Sequence, residues 1–194
     1  MDIVPFYECN LRCPFCFQRD NWEKTGLLDL DVLEAKLEDA VGVRELSIVG
    51  GEPTLLNDAY LKRLINICRK KLDGGKPDFY TNLILVPNKF VLDNVNLHVS
   101  YDPCDRQQQR IVLQHMLELD VPYTINMVLT KKLVKEYGAE KVVRLAEKMH
   151  HRVCLSVIRT IAGGDSRMQP SPEELAGFAL SCVRFWGLTV RLLW

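Results

Sequence analysis

The sequence is short of several things, and each absence narrows the field. No run of about 18 apolar residues occurs, so no spanning helix is expected. The start, Met1-Asp2-Ile3-Val4-Pro5, has neither the basic head nor the apolar centre of a secretory leader, and the expected location is cytoplasmic. Net charge is missing too: 25 Lys plus Arg face 25 Asp plus Glu. That balance argues against general nucleic-acid binding and against an anionic membrane surface. A P-loop, a GxGxxG fingerprint and a GxSxG elbow are absent, which removes the usual sequence cues for phosphate cradles and for serine hydrolases. There is no linker, repeat or low-complexity tract, and 194 residues suit a single domain over 1–194.

What is present is a regular alternation. Apolar runs that read as strands cover Asp2–Tyr7, Glu45–Val49, Asp78–Asn82, Asn96–Tyr101, Tyr123–Leu129, Val153–Arg159 and Leu188–Leu193. Between them lie stripes at helical spacing: Leu30, Leu33, Leu37 and Val41; Leu61, Leu64, Ile65, Cys68 and Leu72; Val142, Leu145, Ala146 and Met149. Asp31 with Glu34 reads as a capping box, Asn57 as a second cap, and Ser171-Pro172-Glu173-Glu174 as a third helix start. Strand–helix alternation implies parallel strands joined by right-handed crossovers. Six or seven units are too few to close an eight-fold barrel. The expected fold is α/β, a partial, open (β/α)6 TIM-like barrel, with a doubly wound sheet as the alternative. Ligands then belong at the carboxyl ends of the strands.

Strand alternation also sorts polar residues onto one face. Asn96, His98 and Ser100 share a face, as do Tyr80 with Asn82 and Thr124 with Asn126. If these faces point inward, the lumen is polar and lined for a ligand.

Seven cysteines, an odd number with no leader before them, do not suggest a disulfide framework. Three crowd into Cys9-Asn10-Leu11-Arg12-Cys13-Pro14-Phe15-Cys16, directly after the first strand. A structural zinc wants four ligands, and the next Cys or His residues are Cys68 and His98, so zinc would need a distant fourth ligand. Three thiolates also suit an iron–sulfur cube with one iron left open to a small molecule. Cys68, Cys154 and Cys182 lie in apolar contexts and read as core. Cys104 follows the fourth strand on the ligand side, where it is either an ordinary loop cysteine or a hydrogen-atom donor.

C-x3-C-x2-C with an aromatic before the last cysteine, here Phe15, resembles the radical S-adenosylmethionine (radical SAM) superfamily. So does Gly50-Gly51-Glu52-Pro53 after the second strand, which matches that family's GGEP motif. The resemblance runs through the βα order of nearly the whole chain. It implies that Cys9, Cys13 and Cys16 hold a 4Fe–4S cluster and that S-adenosylmethionine (AdoMet) binds the open iron. It further implies that Gly50, Gly51, Glu52 and Pro53 meet the methionyl end of AdoMet, through the backbone above all. The glycines have no Cβ and allow close approach, and the Glu52 carboxylate can accept from an ammonium group.

Thr81-Asn82 resembles the family's Thr-Asn-Gly with Leu83 in place of glycine, so a different turn is expected there. Ser100 resembles the family's ribose contact, and Asn126 is a further polar contact. Arg106, Arg110 and Arg159 are charged candidates for AdoMet or substrate. Reductive cleavage of AdoMet to a 5′-deoxyadenosyl radical, followed by hydrogen abstraction, is the implied activity. An external flavodoxin- or ferredoxin-like electron donor is the implied partner. The motifs lean toward peptide- or protein-modifying members, with a glycyl-radical activase or a nucleoside-modifying enzyme as alternatives. No second cysteine cluster supports an auxiliary-cluster domain. A reading from another class is a non-catalytic metal-binding interaction module.

Overall fold

The computed structural model describes residues 1–104, 107–149, 152–157, 166–186 and 192–193. Seven parallel strands lie side by side in chain order: β1 (Asp2–Ile3), β2 (Ser47–Ile48), β3 (Asp78–Thr81), β4 (Asn96–Ser100), β5 (Tyr123–Leu129), β6 (Arg152–Val157) and β7 (Leu192–Leu193). Between them run α1 (Leu30–Asp39), α2 (Asp58–Lys71), α3 (Lys89–Asn94), α4 (Gln109–Glu118), α5 (Gly138–Met149) and α6 (Pro172–Trp186). Sequential order, parallel strands and right-handed crossovers put every helix on the same side of the sheet. The sheet is unclosed, with β1 and β7 at its edges. This is the open, partial TIM-like barrel expected from the sequence, and the doubly wound alternative, which needs helices on both faces, is excluded.

The helix-covered face carries the core. Phe79, Leu97, Val99, Ile125, Met127 and Leu129 point into it, against Leu64, Ile65 and Cys68 of α2, Val112 and Met116 of α4, and Val142 and Leu145 of α5. Each such side chain removed from water contributes very roughly 1.5–3 kcal/mol before entropy is charged against it. The intervening strand residues Tyr80, His98, Ser100, Thr124 and Asn126 are half-buried on the helix-free face. The polar faces read from the alternation therefore do lie on the inner side of the open barrel.

Local details refine several expectations. Asn57 caps α2, accepting from the Tyr60 N–H at 2.9 Å. Ser171 and Glu174 close a reciprocal capping box. The first helix is capped by Asp29, not Asp31: its carboxylate accepts from the N–H groups of Asp31 and Val32, because Leu30 must already be helical to bury its side chain. That helix ends at Asp39, and Val41 is 96% exposed instead of joining the stripe, since Ala40 is extended and Gly42 turns the chain at φ +73°. β1 and β2 have two residues each, shorter than their apolar runs suggested.

Candidate active site

After Ile3 the chain continues extended toward the cysteines and lies alongside the residues that come after β2. The Val49 N–H donates to the Ile3 carbonyl at 2.9 Å, the Gly51 N–H to Phe6 at 3.0 Å, and the Glu52 N–H to Glu8 at 2.7 Å. The glycines make this run possible. A Cβ on Gly51 would sit 1.8 Å from the Glu8 carbonyl oxygen, and one on Gly50 would sit 2.8 Å from that of Phe6. Gly50 also has φ +128°, a conformation side chains rarely adopt. The close approach the sequence led one to expect is thus made, on this side, by the chain's own backbone leading into Cys9.

Cys9, Cys13 and Cys16 are half-buried on this loop at the carboxyl end of β1. The Cys16 N–H donates to the Cys13 carbonyl at 3.0 Å, closing a turn between them. Phe15 is buried. The Arg12 guanidinium ties the loop down by donating to the Cys9 carbonyl at 2.7 Å and the Leu11 carbonyl at 3.0 Å, and it stacks over Trp22. Nothing in the sequence distinguished Arg12 or Trp22 from surface residues.

Glu52 joins the motif to the next strand. Only 1% of it is exposed, and it caps the short turn Pro53–Leu55. One carboxylate oxygen accepts from the Thr54 N–H at 3.1 Å, the Thr54 hydroxyl at 2.8 Å and the Thr81 hydroxyl at 2.7 Å. The other accepts from the Asn82 N–H at 2.7 Å. Burial pushes the carboxyl pKa up, and the bonds from Asn82, Thr81 and Thr54 pull it the other way without cancelling the rise. The side chain thus points at protein donors around the end of β3. Pro53 is buried beside it.

Asn82 is buried at that end of β3. Its Oδ1 accepts from the Ile84 N–H at 3.0 Å, and its Nδ2 donates to Asn10 Oδ1 at 2.7 Å and lies 3.8 Å from Cys9 Sγ. Leu83, where the motif's glycine would stand, has φ +57° and is fully buried. Leucine takes the left-handed backbone that a glycine adopts freely, at a cost of about 1–2 kcal/mol, and burial of its side chain offsets that cost. Thr81 Oγ1 accepts from the Leu83 N–H at 2.9 Å, and the Leu83 carbonyl lies 2.9 Å from His115 Nδ1.

On the helix-free face, Tyr80 and His98 stack with ring centroids 4.5 Å apart. His98 also reaches Asp78 at 3.4 Å and Asn126 at 3.2 Å. Ser100 stands opposite Asn126 in the β4–β5 register. Ser100 and Asn126 are therefore brought together, while Phe15, Gly50, Gly51, Glu52, Pro53 and Asn82 gather around the cysteine loop. Arg106 and Arg159 lie outside the described residues, and Arg110 is exposed on α4. Cys104 is half-buried; its N–H donates to Asp102 and its carbonyl accepts from Lys132. Cys68 and Cys182 are buried, as their apolar contexts indicated, and the side chain of Cys154 lies outside the described residues.

Comparison with known proteins agrees with this architecture. The sequence matches the radical SAM superfamily over residues 3–165. No curated protein matches it. Among solved structures, it is similar to histidine-tagged anSMEcpe with bound AdoMet, at 21% identity and a TM-score of 0.73. It is also similar to native anSMEcpe with bound AdoMet, at 22% identity and 0.73, and to native anSMEcpe with bound AdoMet and Cp18Cys peptide, at 21% and 0.71. Each match covers 98% of this chain and 62% of the other, so this chain spans less than two thirds of the length of these structures. Below 25% identity the likeness is one of fold, and the fold is the open barrel described above. The cysteine loop and the glycine motif lie within the sequence match, on the barrel that the structural matches share. The chain belongs to the radical SAM superfamily, whose members work with a 4Fe–4S cluster and AdoMet.

Proposed function

We propose that Cys9, Cys13 and Cys16 hold the 4Fe–4S cluster and that AdoMet lies between this loop and the helix-free face of the sheet. The observation carrying this reading is the backbone run that lays residues 3–8 along Val49–Glu52, so that the three-cysteine loop and the glycine motif share one end of the sheet. The donor set fits the group. Three soft thiol ligands on one half-buried loop suit iron–sulfur ligation and leave one iron without a protein ligand. Among the described residues, no three His, Cys, Asp or Glu side chains converge on a single ion; in a cube each thiolate binds a different iron, so convergence on one point is not required.

Held by Cys9, Cys13 and Cys16, the cluster would supply one-electron reduction of AdoMet, the source of the family's hydrogen-abstraction chemistry. The chain's own part is positioning. Arg12 and the glycine motif hold the loop, Glu52 fixes the motif to β3, and buried Phe15 gives the thiolates an apolar backing. Backbone groups of Gly50–Pro53 face the methionyl end, and Ser100 and Asn126, paired across β4 and β5, meet the ribose. Tyr80 and His98 line the floor beyond. We assign the electron donor to the flavodoxin or ferredoxin class and the substrate to the peptides or proteins. The unclosed polar face leaves room for an extended chain, and the like-folded anSMEcpe binds a peptide together with AdoMet.

The test is anaerobic reconstitution with iron and sulfide, followed by AdoMet and dithionite, with 5′-deoxyadenosine as the readout. Wild type makes it; Cys13→Ala holds less iron and drops to background. A Cys13→Ala protein with full iron and full turnover would refute the ligand assignment.

A further inference from the structure

Asn82 stands at the junction of three features with separate origins: the Glu52 hub, the strained Leu83 turn and the cysteine loop. Its amide can be oriented without ambiguity. The Ile84 N–H donates to one end at 3.0 Å, so that end is the oxygen, and the NH₂ faces the loop. An NH₂ group has two hydrogens. Asn10 Oδ1, at 2.7 Å, takes one; Cys9 Sγ, 3.8 Å from the same nitrogen and 3.9 Å from Asn10 Oδ1, is within reach of the other. A second donor, the Leu11 N–H, points at the same sulfur from 3.4 Å. The backbone under Asn82 is held from both sides. Its own N–H is bonded to buried Glu52 at 2.7 Å, and the next residue is the buried, left-handed Leu83. A backbone conformation that costs free energy persists only where its surroundings over-determine it, and such positions cluster at functional sites. Here the surroundings aim one amide at one thiol.

Resting on the assignment of Cys9 as a cluster ligand, we propose that Asn82 is a positioning residue that sets the reduction potential of the cluster through an N–H···S hydrogen bond to the Cys9 thiolate. Reduction adds one electron, and hence one negative charge, to the cluster and its sulfurs, with no bond made or broken in the protein. A donor aimed at a sulfur stabilises the more negative state more, so it raises the potential; hydrogen bonds to the sulfurs are among the determinants of cluster potential. The Asn82 side chain is thereby directed to the cluster's ligand shell and not to the nucleoside of AdoMet. Its backbone tie to Glu52 makes the glycine motif and the potential parts of one network.

The experiment uses the full chain, reconstituted anaerobically with iron and sulfide and without AdoMet. The midpoint potential is read by redox titration monitored by electron paramagnetic resonance. Asn82→Ala loses the donor without adding charge and so reads the bond alone; Asn82→Asp keeps an acceptor for the Ile84 N–H, and so the turn, but loses the donor and adds a negative charge that itself lowers the potential. Both variants are expected to be harder to reduce. At a fixed potential their reduced-to-oxidised ratio falls by on the order of tenfold, which for one electron is about 59 mV. Asn82→Leu, neutral, of larger volume and without a donor, serves if the Ala variant does not fold. A potential that stays at the wild-type value, or rises, in a folded, cluster-loaded Asn82→Ala or Asn82→Leu protein would overturn the proposal and leave the ligand assignment standing. A wild-type chain that forms no cluster would overturn both.

Discussion

The centre of the sheet and its β1–β2 side are held together by different means. β5 runs seven residues, and Tyr123, Ile125, Met127 and Leu129 are all buried on one face. Stability there is spread over many apolar contacts of similar kind. β1 and β2 have two residues each, and the segments leaving their carboxyl ends are held by discrete polar links: backbone bonds from residues 3–8 to Val49–Glu52, four donors on Glu52, and an arginine clamp on the cysteine loop. The difference has a physical cause. On the proposed assignment, thiols that must remain within reach of a cluster cannot be buried under an apolar helix. Their loop is therefore fixed by hydrogen bonds and by atoms that are missing, the Cβ atoms of Gly50 and Gly51. A distributed apolar core tolerates changes of similar size, whereas a set of individually required bonds does not.

The strongest way to break this contrast is to change one methyl group on each side. Gly51→Ala builds a Cβ against the Glu8 backbone, which has no flexible tip to move aside, so we expect a loss of about 3 kcal/mol or more and release of iron from the reconstituted chain. Removing one methyl from the centre, Ile125→Val, is expected to cost only about 0.5–1.5 kcal/mol with iron retained. Denaturant unfolding and iron analysis of both variants check this. Equal losses would mean that the two regions share one mode of stabilisation.

A smaller change tests the Glu52 hub. Glu52→Gln keeps the volume but places an NH₂ among groups that all donate; with the amide nitrogen at either position, a protein donor is left facing a donor. We expect a loss of about 1–3 kcal/mol, well above what an exposed charge removal such as Glu118→Gln produces. Chemical denaturation reads the difference. A Gln variant as stable as wild type would show that the four bonds are dispensable.

The smallest effect is on the helix-free face. Burial raises the pKa of Asp78, but bonds from His98 and Asn96, with the charge of His98, outweigh it and hold the carboxyl below its ordinary value of 3.8. A folded-state pKa below the unfolded one contributes stability above about pH 4, which is lost as pH falls through the depressed value. The pair is partly exposed, so the contribution is under about 1 kcal/mol. His98→Gln should flatten the fall in unfolding free energy below pH 4; an unchanged slope would show that the pair contributes nothing to stability.

Several of these features could be read before any coordinates. Periodicity placed β3, β4 and β5 to within about a residue, because long strands with one buried face have a clean period of two. Asn57 and Ser171 were readable as caps because a cap needs only local chemistry. Asp29 was missed for Asp31 because the choice between two nearby acids depends on which leucine the core buries. Cys9, Cys13, Cys16 and Gly50–Pro53 were readable as motifs. The partners of Glu52 were not: Thr81 and Asn82 meet it across about 30 residues of chain. At Leu83 the sequence argued for a changed turn, since leucine resists φ above zero. The fold places leucine at positive φ there all the same, because burying the side chain offsets the strain.

By itself, the sequence determined the alternation of strands and helices, the crowding of three thiols after the first strand, and the family with its cofactors. These rest on side-chain chemistry and short-range spacing. Only the tertiary structure decided that the glycines clear a path for the chain's own backbone, that Glu52 turns toward β3, and that the amide of Asn82 faces the sulfur of Cys9. Each of these is a contact between segments distant in sequence, and such contacts exist only once the parallel sheet has brought the carboxyl ends of its strands together.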